Sequence, residues 1–177
     1  MKIGVLGTGM VGETIATRLA GLNHEVRMGS RSASNQKAEA WAQKHGAGAS
    51  HGTFPDAAQF GDTLVNCTQG SVALEALAAA GADNLAGKVL IDVANPLDTR
   101  ADRRGALLYC DSDSLGERIQ AAFPATRVVK TLNTMSCGLM VNPRLLPEQH
   151  AVYICGNGRR RQDAGDRHPP IVGLDRR

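Results

Sequence analysis

The opening stretch, MKIGVLGTGMVG, constrains the fold more than any other part of the chain. Lys2–Leu6 is a short β-rich run that ends in Gly7-Thr8-Gly9-Met10-Val11-Gly12, a G-x-G-x-x-G turn. Val11, Ile15, Leu19 and Leu22 then recur at near-helical spacing, so the turn opens a helix. A strand, a glycine turn and a helix in this order form the phosphate-gripping corner of dinucleotide-binding α/β folds. Gly7 permits the tight turn, Gly9 lets a pyrophosphate approach the backbone, and Gly12 lets helix and strand pack closely. The helix N-terminus adds free N–H groups and a partial positive charge.

The rest of the chain repeats the alternation. Strands are expected at Glu25–Met28, near Ala47–Ser50, and at Asp62–Cys67, Lys88–Ala94, Arg127–Thr131 and His150–Cys155. Helical patterns fall between them at Asn35–His45, Asp56–Phe60, Val72–Ala80 and Leu115–Phe123. This order predicts a doubly wound, mostly parallel sheet with helices on both faces, the Rossmann class of α/β fold. The run VLIDV is apolar almost throughout, as a strand buried on both faces requires. With 177 residues, 42% of them apolar, one domain over residues 1–157 has enough material for a core. Aromatic residues are only 3%, so Val, Leu, Ile, Ala and Met must build it.

The carboxyl end of the second strand decides which dinucleotide fits. An Asp or Glu there would accept hydrogen bonds from the adenosine ribose hydroxyls and repel a 2′-phosphate. No acid occupies residues 29–36; Ser30, Arg31 and Ser32 stand there, with Lys37 just beyond. Hydroxyl donors and a guanidinium fork suit phosphate oxygens. The pattern selects NADP over NAD, with Arg31 carrying more of the discrimination than Ser30, because a charged hydrogen bond outweighs a neutral one.

Other chemistries find little support. The net charge is +3, and residues 156–177 alone, with six Arg against three Asp, account for that excess. The rest is near neutral, which argues against a nucleic-acid surface. Cys67, Cys110, Cys137 and Cys155 are widely spaced and read as reduced thiols of a cytoplasmic protein. No apolar run approaches the roughly 20 residues of a membrane helix. There is no Tyr-x-x-x-Lys pair and no metal-ligand spacing. His51 is the one histidine expected near a strand carboxyl end, and a surface role suits it better than catalysis. No catalytic acid or base is therefore assigned. Hydride transfer between two redox cofactors needs only stacked rings at reacting distance. Residues at strand carboxyl ends would shape that slot: Cys67, Thr68 and Gln69, then Ala94, Asn95 and Pro96, then Leu132, Asn133 and Thr134.

The segments IGVLGTGMVG, MGSRS, VLIDVANPL, DSLGERIQAAFPATRVVKTLNTM and VYICGN occur in an order that resembles the F420-dependent NADP oxidoreductase family, from Met1 to about Asn157. The resemblance implies reversible hydride transfer between NADP and the deazaflavin coenzyme F420, a small-molecule redox substrate. It implies that Thr8, Gly9, Met10 and Val11 hold the pyrophosphate and that Ser30 and Arg31 hold the 2′-phosphate. Asn95, Pro96 and Asn133 would border the deazaflavin. Intact members are expected to be homodimers. Some members reduce substrates without F420, so the second substrate stays open, as does a non-catalytic NADP-binding module.

After Gly156-Asn157 the resemblance ends in GRRRQDAGDRHPPIVGLDRR. This stretch has no apolar periodicity, and Pro169-Pro170 stands where a helix would continue. It reads either as an out-of-frame translation or as a genuine basic tail; either way part of the substrate cover and the dimer surface are expected to be missing, with a truncated, inactive product as an alternative reading. In both cases residues 158–177 are expected to be disordered, and sequencing the gene through codon 157 distinguishes the two.

Overall fold

The computed structural model describes residues 1–103 and 105–156. The tail at 158–177 lies outside the described residues. Strand β1 (Lys2–Leu6) leads into helix α1 (Met10–Gly21), then β2 (Glu25–Ser30), α2 (Gln36–His45), β3 (Ala49–Thr53) and α3 (Phe54–Phe60). The second half runs β4 (Thr63–Asn66), α4 (Ala73–Ala80), α5 (Ala82–Leu85), β5 (Val89–Asp92), α6 (Leu115–Ala122), β6 (Arg127–Thr131), α7 (Cys137–Val141) and β7 (Ile154–Cys155). The strands form one sheet in the order β3-β2-β1-β4-β5-β6-β7. All neighbours are parallel except the β6–β7 pair. The chain leaves β1 in one direction along the sheet and returns at β4 to build outward in the other. The gap between β1 and β4 is therefore the switch point, where ligands of such sheets bind beyond the carboxyl ends of the strands.

Alternate residues of β1, β4, β5 and β6 serve two cores. Ile3, Val5, Val26, Met28, Val65, Val89, Ile91 and Val129 pack with Ile15, Leu19, Trp41 and Met140 on one face. Leu6, Leu64, Leu90 and Val128 pack with Leu77, Leu85, Leu115 and Ile119 on the other. Trp41 Nε1 donates to Thr17 Oγ1 at 3.1 Å, tying α2 to α1. Helix starts are set by side chains. Asn35 accepts from Ala38 N to start α2, Ser114 accepts from Glu117 N to start α6, and Thr53 and Asp56 cap each other's backbone in a capping box ahead of α3.

Several boundaries differ from expectation for local reasons. Gly46 and Gly48 take positive φ (65° and 92°), which ends α2 and delays β3 to Ala49. His51 consequently sits in the middle of β3 opposite Met28, not at a strand carboxyl end. The capping box and Pro55 start α3 at Phe54, two residues earlier than expected. The last strand is only Ile154–Cys155 and antiparallel, where a longer strand over 150–155 was expected. Helix α7 was not foreseen: its five residues, CGLMV, are too few to show a helical period. Among the described residues, no helix is long and apolar enough to cross a membrane, and no group of three His, Cys, Asp or Glu could hold a metal.

Candidate functional site

The glycine turn joins β1 to α1 at the switch point. Gly7 has φ 119°, which side chains disfavour, and a Cβ there would lie 2.7 Å from the Cys67 carbonyl oxygen. Its N–H donates to the Gly29 carbonyl at 2.9 Å. A Cβ on Gly12 would sit 2.2 Å from the Gly7 carbonyl oxygen, so the helix presses directly on the turn. Gly9 differs from both. It is the exposed N-cap of α1, no side chain caps that helix start, and a Cβ placed on it would meet nothing within 4 Å. The turn thus leaves open space in front of uncapped N–H groups, the arrangement an anion needs.

Beyond this turn a cavity of about 450 Å³ lies between α1 and α2, lined by Thr8, Met10, Glu13, Lys37, Trp41 and Lys44 among others. It brings two candidates of the turn, Thr8 and Met10, together with Lys37. Val11 is half-buried and packs against the core beneath. At the end of β2, Ser30 is 4% exposed and its hydroxyl is engaged locally, donating to the Ser32 carbonyl at 2.5 Å and accepting from Ser32 N–H at 3.3 Å. Ser30 therefore shapes the turn that presents Arg31. Arg31 is exposed and makes no hydrogen bond or ion pair with the described residues.

The second half of the site is built by the ends of β4, β5 and β6. Cys67 is buried under the glycine turn, and burial, reinforced by the Asp92 carboxylate, pushes its thiol far above the usual range, so it stays protonated. Thr68 is half-buried, Gln69 is exposed, and Ala94 and Pro96 are buried. Asn95 and Asn133 clasp each other: Asn95 Nδ2 donates to the Asn133 carbonyl at 2.7 Å, and Asn133 Nδ2 donates to Asn95 Oδ1 at 3.1 Å. Leu132, just before Asn133, is 4% exposed and has φ 62°. A left-handed conformation costs a non-glycine residue on the order of 1 kcal/mol. The fold holds it there, which fixes where Asn133 points.

Three participants escaped the reading of the sequence: Asn66, Asp92 and Lys130. Asp92 Oδ1 accepts from Asn66 Nδ2 at 2.8 Å, and Lys130 Nζ donates to Asp92 Oδ2 at 2.9 Å. The signal was present as a polar residue interrupting each apolar run: Asn66 in LVNC, Asp92 in VLIDV and Lys130 after the two valines of VVKT. These bonds leave the Lys130 ammonium engaged with Asp92 and with the Ala94 carbonyl. With the Cys67 thiol protonated and buried, the residues directly after β4, β5 and β6 (Thr68 and Gln69, Ala94 to Pro96, Leu132 to Thr134) present amides, hydroxyls and apolar groups.

A doubly wound sheet with an open glycine turn at its switch point defines this chain as an α/β protein of the Rossmann class. The family model described as NADP oxidoreductase, coenzyme F420-dependent, matches residues 2–96, and the chain belongs to that family. It is similar to the crystal structure of a proposed F420-dependent NADP-reductase from Arthrobacter sp. FB24, at 42% identity and TM-score 0.86, covering 94% of this chain and 78% of that one. It is also 35% identical over 164 residues to the metalloreductase STEAP3 of Rattus norvegicus, covering 88% of this chain. The chain spans 29% of the length of that curated relative. Pyrroline carboxylate reductase of Plasmodium falciparum, solved with NADP bound, shares the fold at 16% identity and TM-score 0.57, covering 93% of this chain and 52% of that one.

Proposed function

We propose that this protein binds NADP(H) and exchanges a hydride with a deazaflavin of the coenzyme F420 type. One observation carries the nucleotide half. The acid-free end of β2 presents an exposed Arg31 with no partner among the described residues, and Gly29 of that strand end is hydrogen-bonded to the glycine turn whose Gly9 leaves room for phosphate. A 2′-phosphate would supply the missing partner for that guanidinium. Gly7, Thr8, Gly9, Met10, Val11 and Gly12 hold the pyrophosphate against the N-terminus of α1 in this reading.

The dinucleotide, once bound, supplies the hydride. The chain's own residues position and enclose. Thr68 and Gln69 flank one side of the slot, Ala94, Asn95 and Pro96 form its floor, and the clasped Asn95 and Asn133 keep the far wall fixed. None of these groups is a proton donor suited to alcohol or carbonyl chemistry. That favours an acceptor which takes the hydride directly into a ring. Similarity to a metalloreductase supports a second reading in which the electrons end on a metal ion. A metal ion takes electrons singly, so that reading needs a carrier able to divide the hydride pair.

Titrating the full chain with NADPH and NADH, alongside Arg31→Gln, tests the nucleotide assignment. The loss of a charged hydrogen bond, about 1.5–3 kcal/mol, should weaken NADPH by at least about ten-fold and leave NADH unchanged. Equal losses for both nucleotides would overturn it. Mixing NADPH with F420 and following the deazaflavin absorbance tests the acceptor. Binding of NADPH without reduction of F420 would favour a non-catalytic nucleotide-binding module.

A further inference from the structure

Three polar residues interrupt apolar strands at one level of the sheet. Asn66 of β4, Asp92 of β5 and Lys130 of β6 are register partners in neighbouring parallel strands, so they stand side by side on one face. The same row continues through Leu6 of β1 and Gly29 of β2. The change from apolar to polar falls at the gap between β1 and β4, where the strand order reverses. Asn66 and Asp92 are wholly buried, and the Lys130 side chain is 20% exposed. Buried ion pairs rarely stabilise a core better than apolar residues of similar volume. Packing alone therefore gives no reason for this row.

Its hydrogen bonds lead upward into the site. Asn66 Oδ1 accepts from Thr68 N at 3.2 Å and from Thr68 Oγ1 at 2.7 Å. Asp92 Oδ1 accepts from Ala94 N at 3.2 Å as well as from Asn66. Lys130 Nζ donates to the Ala94 carbonyl and to Asp92. Above the row, the Asn95–Asn133 clasp joins the β5 loop to the β6 loop. The loops after β4 and β5 are thus bonded to one lateral tie, and the clasp links the β6 loop to the β5 loop, whereas the turns after β1 and β2 have no hydrogen bond to the row.

We infer that the Asn66–Asp92–Lys130 row is a positioning device for the nicotinamide half of the dinucleotide: it locks three loops into one floor and leaves the adenosine half independent. The inference rests on the NADP reading above. None of the three residues touches the ligand in this scheme; Asn66 acts through Thr68, and Asp92 and Lys130 act through Ala94. Two probes separate the halves of the site, NADPH and 2′,5′-ADP, which carries only the adenosine half.

The variant Asp92→Asn/Lys130→Met removes both charges together, so no buried charge is stranded. Asn66→Ala leaves the ion pair intact and cuts only the β4 arm. Each variant should bind 2′,5′-ADP as the wild type does and bind NADPH at least about five-fold more weakly, a change in the ratio that general loosening would not produce. The inference is overturned if both affinities fall together, if neither falls, or if both variants fail to fold, since the row would then be a folding element. If the unaltered chain binds neither probe, the NADP reading itself fails, a result distinct from an unchanged ratio in chains that bind both.

Discussion

Gly9→Ala and Gly12→Ala should separate ligand space from packing within one turn. Gly9 has φ −79° and ψ 179°, which any residue adopts, and its added methyl would meet nothing within 4 Å. Alanine is a poorer N-cap than glycine, roughly 0.5–1 kcal/mol, but it reduces the freedom of the unfolded chain by about 0.4–1 kcal/mol. These effects offset, and the melting temperature should move by no more than about 3 °C. The same methyl projects into the space where the phosphates would approach α1. Displacing one charge-assisted hydrogen bond costs about 1.5–3 kcal/mol, so NADPH affinity should fall at least about ten-fold. In Gly12→Ala the methyl would lie 2.2 Å from the Gly7 carbonyl oxygen. Ordinary contact requires about 3.5 Å, so α1 must retreat by more than about 1 Å, at a cost of roughly 1–3 kcal/mol or more. Thermal unfolding and NADPH fluorescence titration of both variants provide the check. Undiminished NADPH binding by Gly9→Ala would refute the argument that the open space in front of α1 is phosphate space.

Other consequences are independent of the ligand. Thr53→Ala removes half of the capping box at α3 and should cost about 1 kcal/mol, read as a melting-temperature drop of about 2–4 °C. The Thr53 hydrogen bonds hold the Asp56 carboxyl below its usual range, so this cap contributes above the ordinary Asp value and is lost as pH falls through the lower folded one. An acid titration by circular dichroism should show that contribution shrink in Thr53→Ala without vanishing, since the backbone N–H of residue 53 still donates to Asp56. Asp98 anchors the excursion after β5 through Arg100 and Arg103, and hydrogen bonds from Arg100 lower its carboxyl to about 2. Asp98→Asn should loosen that excursion and speed tryptic cleavage after Arg100 and Arg103, with the core unaffected. A thiol alkylating agent at mildly alkaline pH should modify the exposed Cys110 and Cys155 and spare the buried, protonated Cys67, as peptide mass spectrometry would show.

Local chemistry wrote much of this protein legibly. The turn at Gly7–Gly12, the acid-free end of β2 at Ser30 and Arg31, and the apolar runs of β1, β4 and β5 each depend on neighbours in the chain. Dihedral freedom, strand periodicity and the charge beside a strand end are properties of a few consecutive residues, so they could be read directly. The order of alternation likewise implied a parallel sheet, because right-handed crossovers leave few other arrangements. Tertiary contact settled the rest. Asn66, Asp92 and Lys130 each look like an isolated polar interruption until β4, β5 and β6 align in register. The contact of the Ser30 hydroxyl with Ser32 is set by the turn, and Leu132 gives no local hint of its left-handed backbone. Distances across 26 or 38 residues of chain, as in Asn66 to Asp92 and Asp92 to Lys130, are set by the sheet and have no counterpart in sequence spacing.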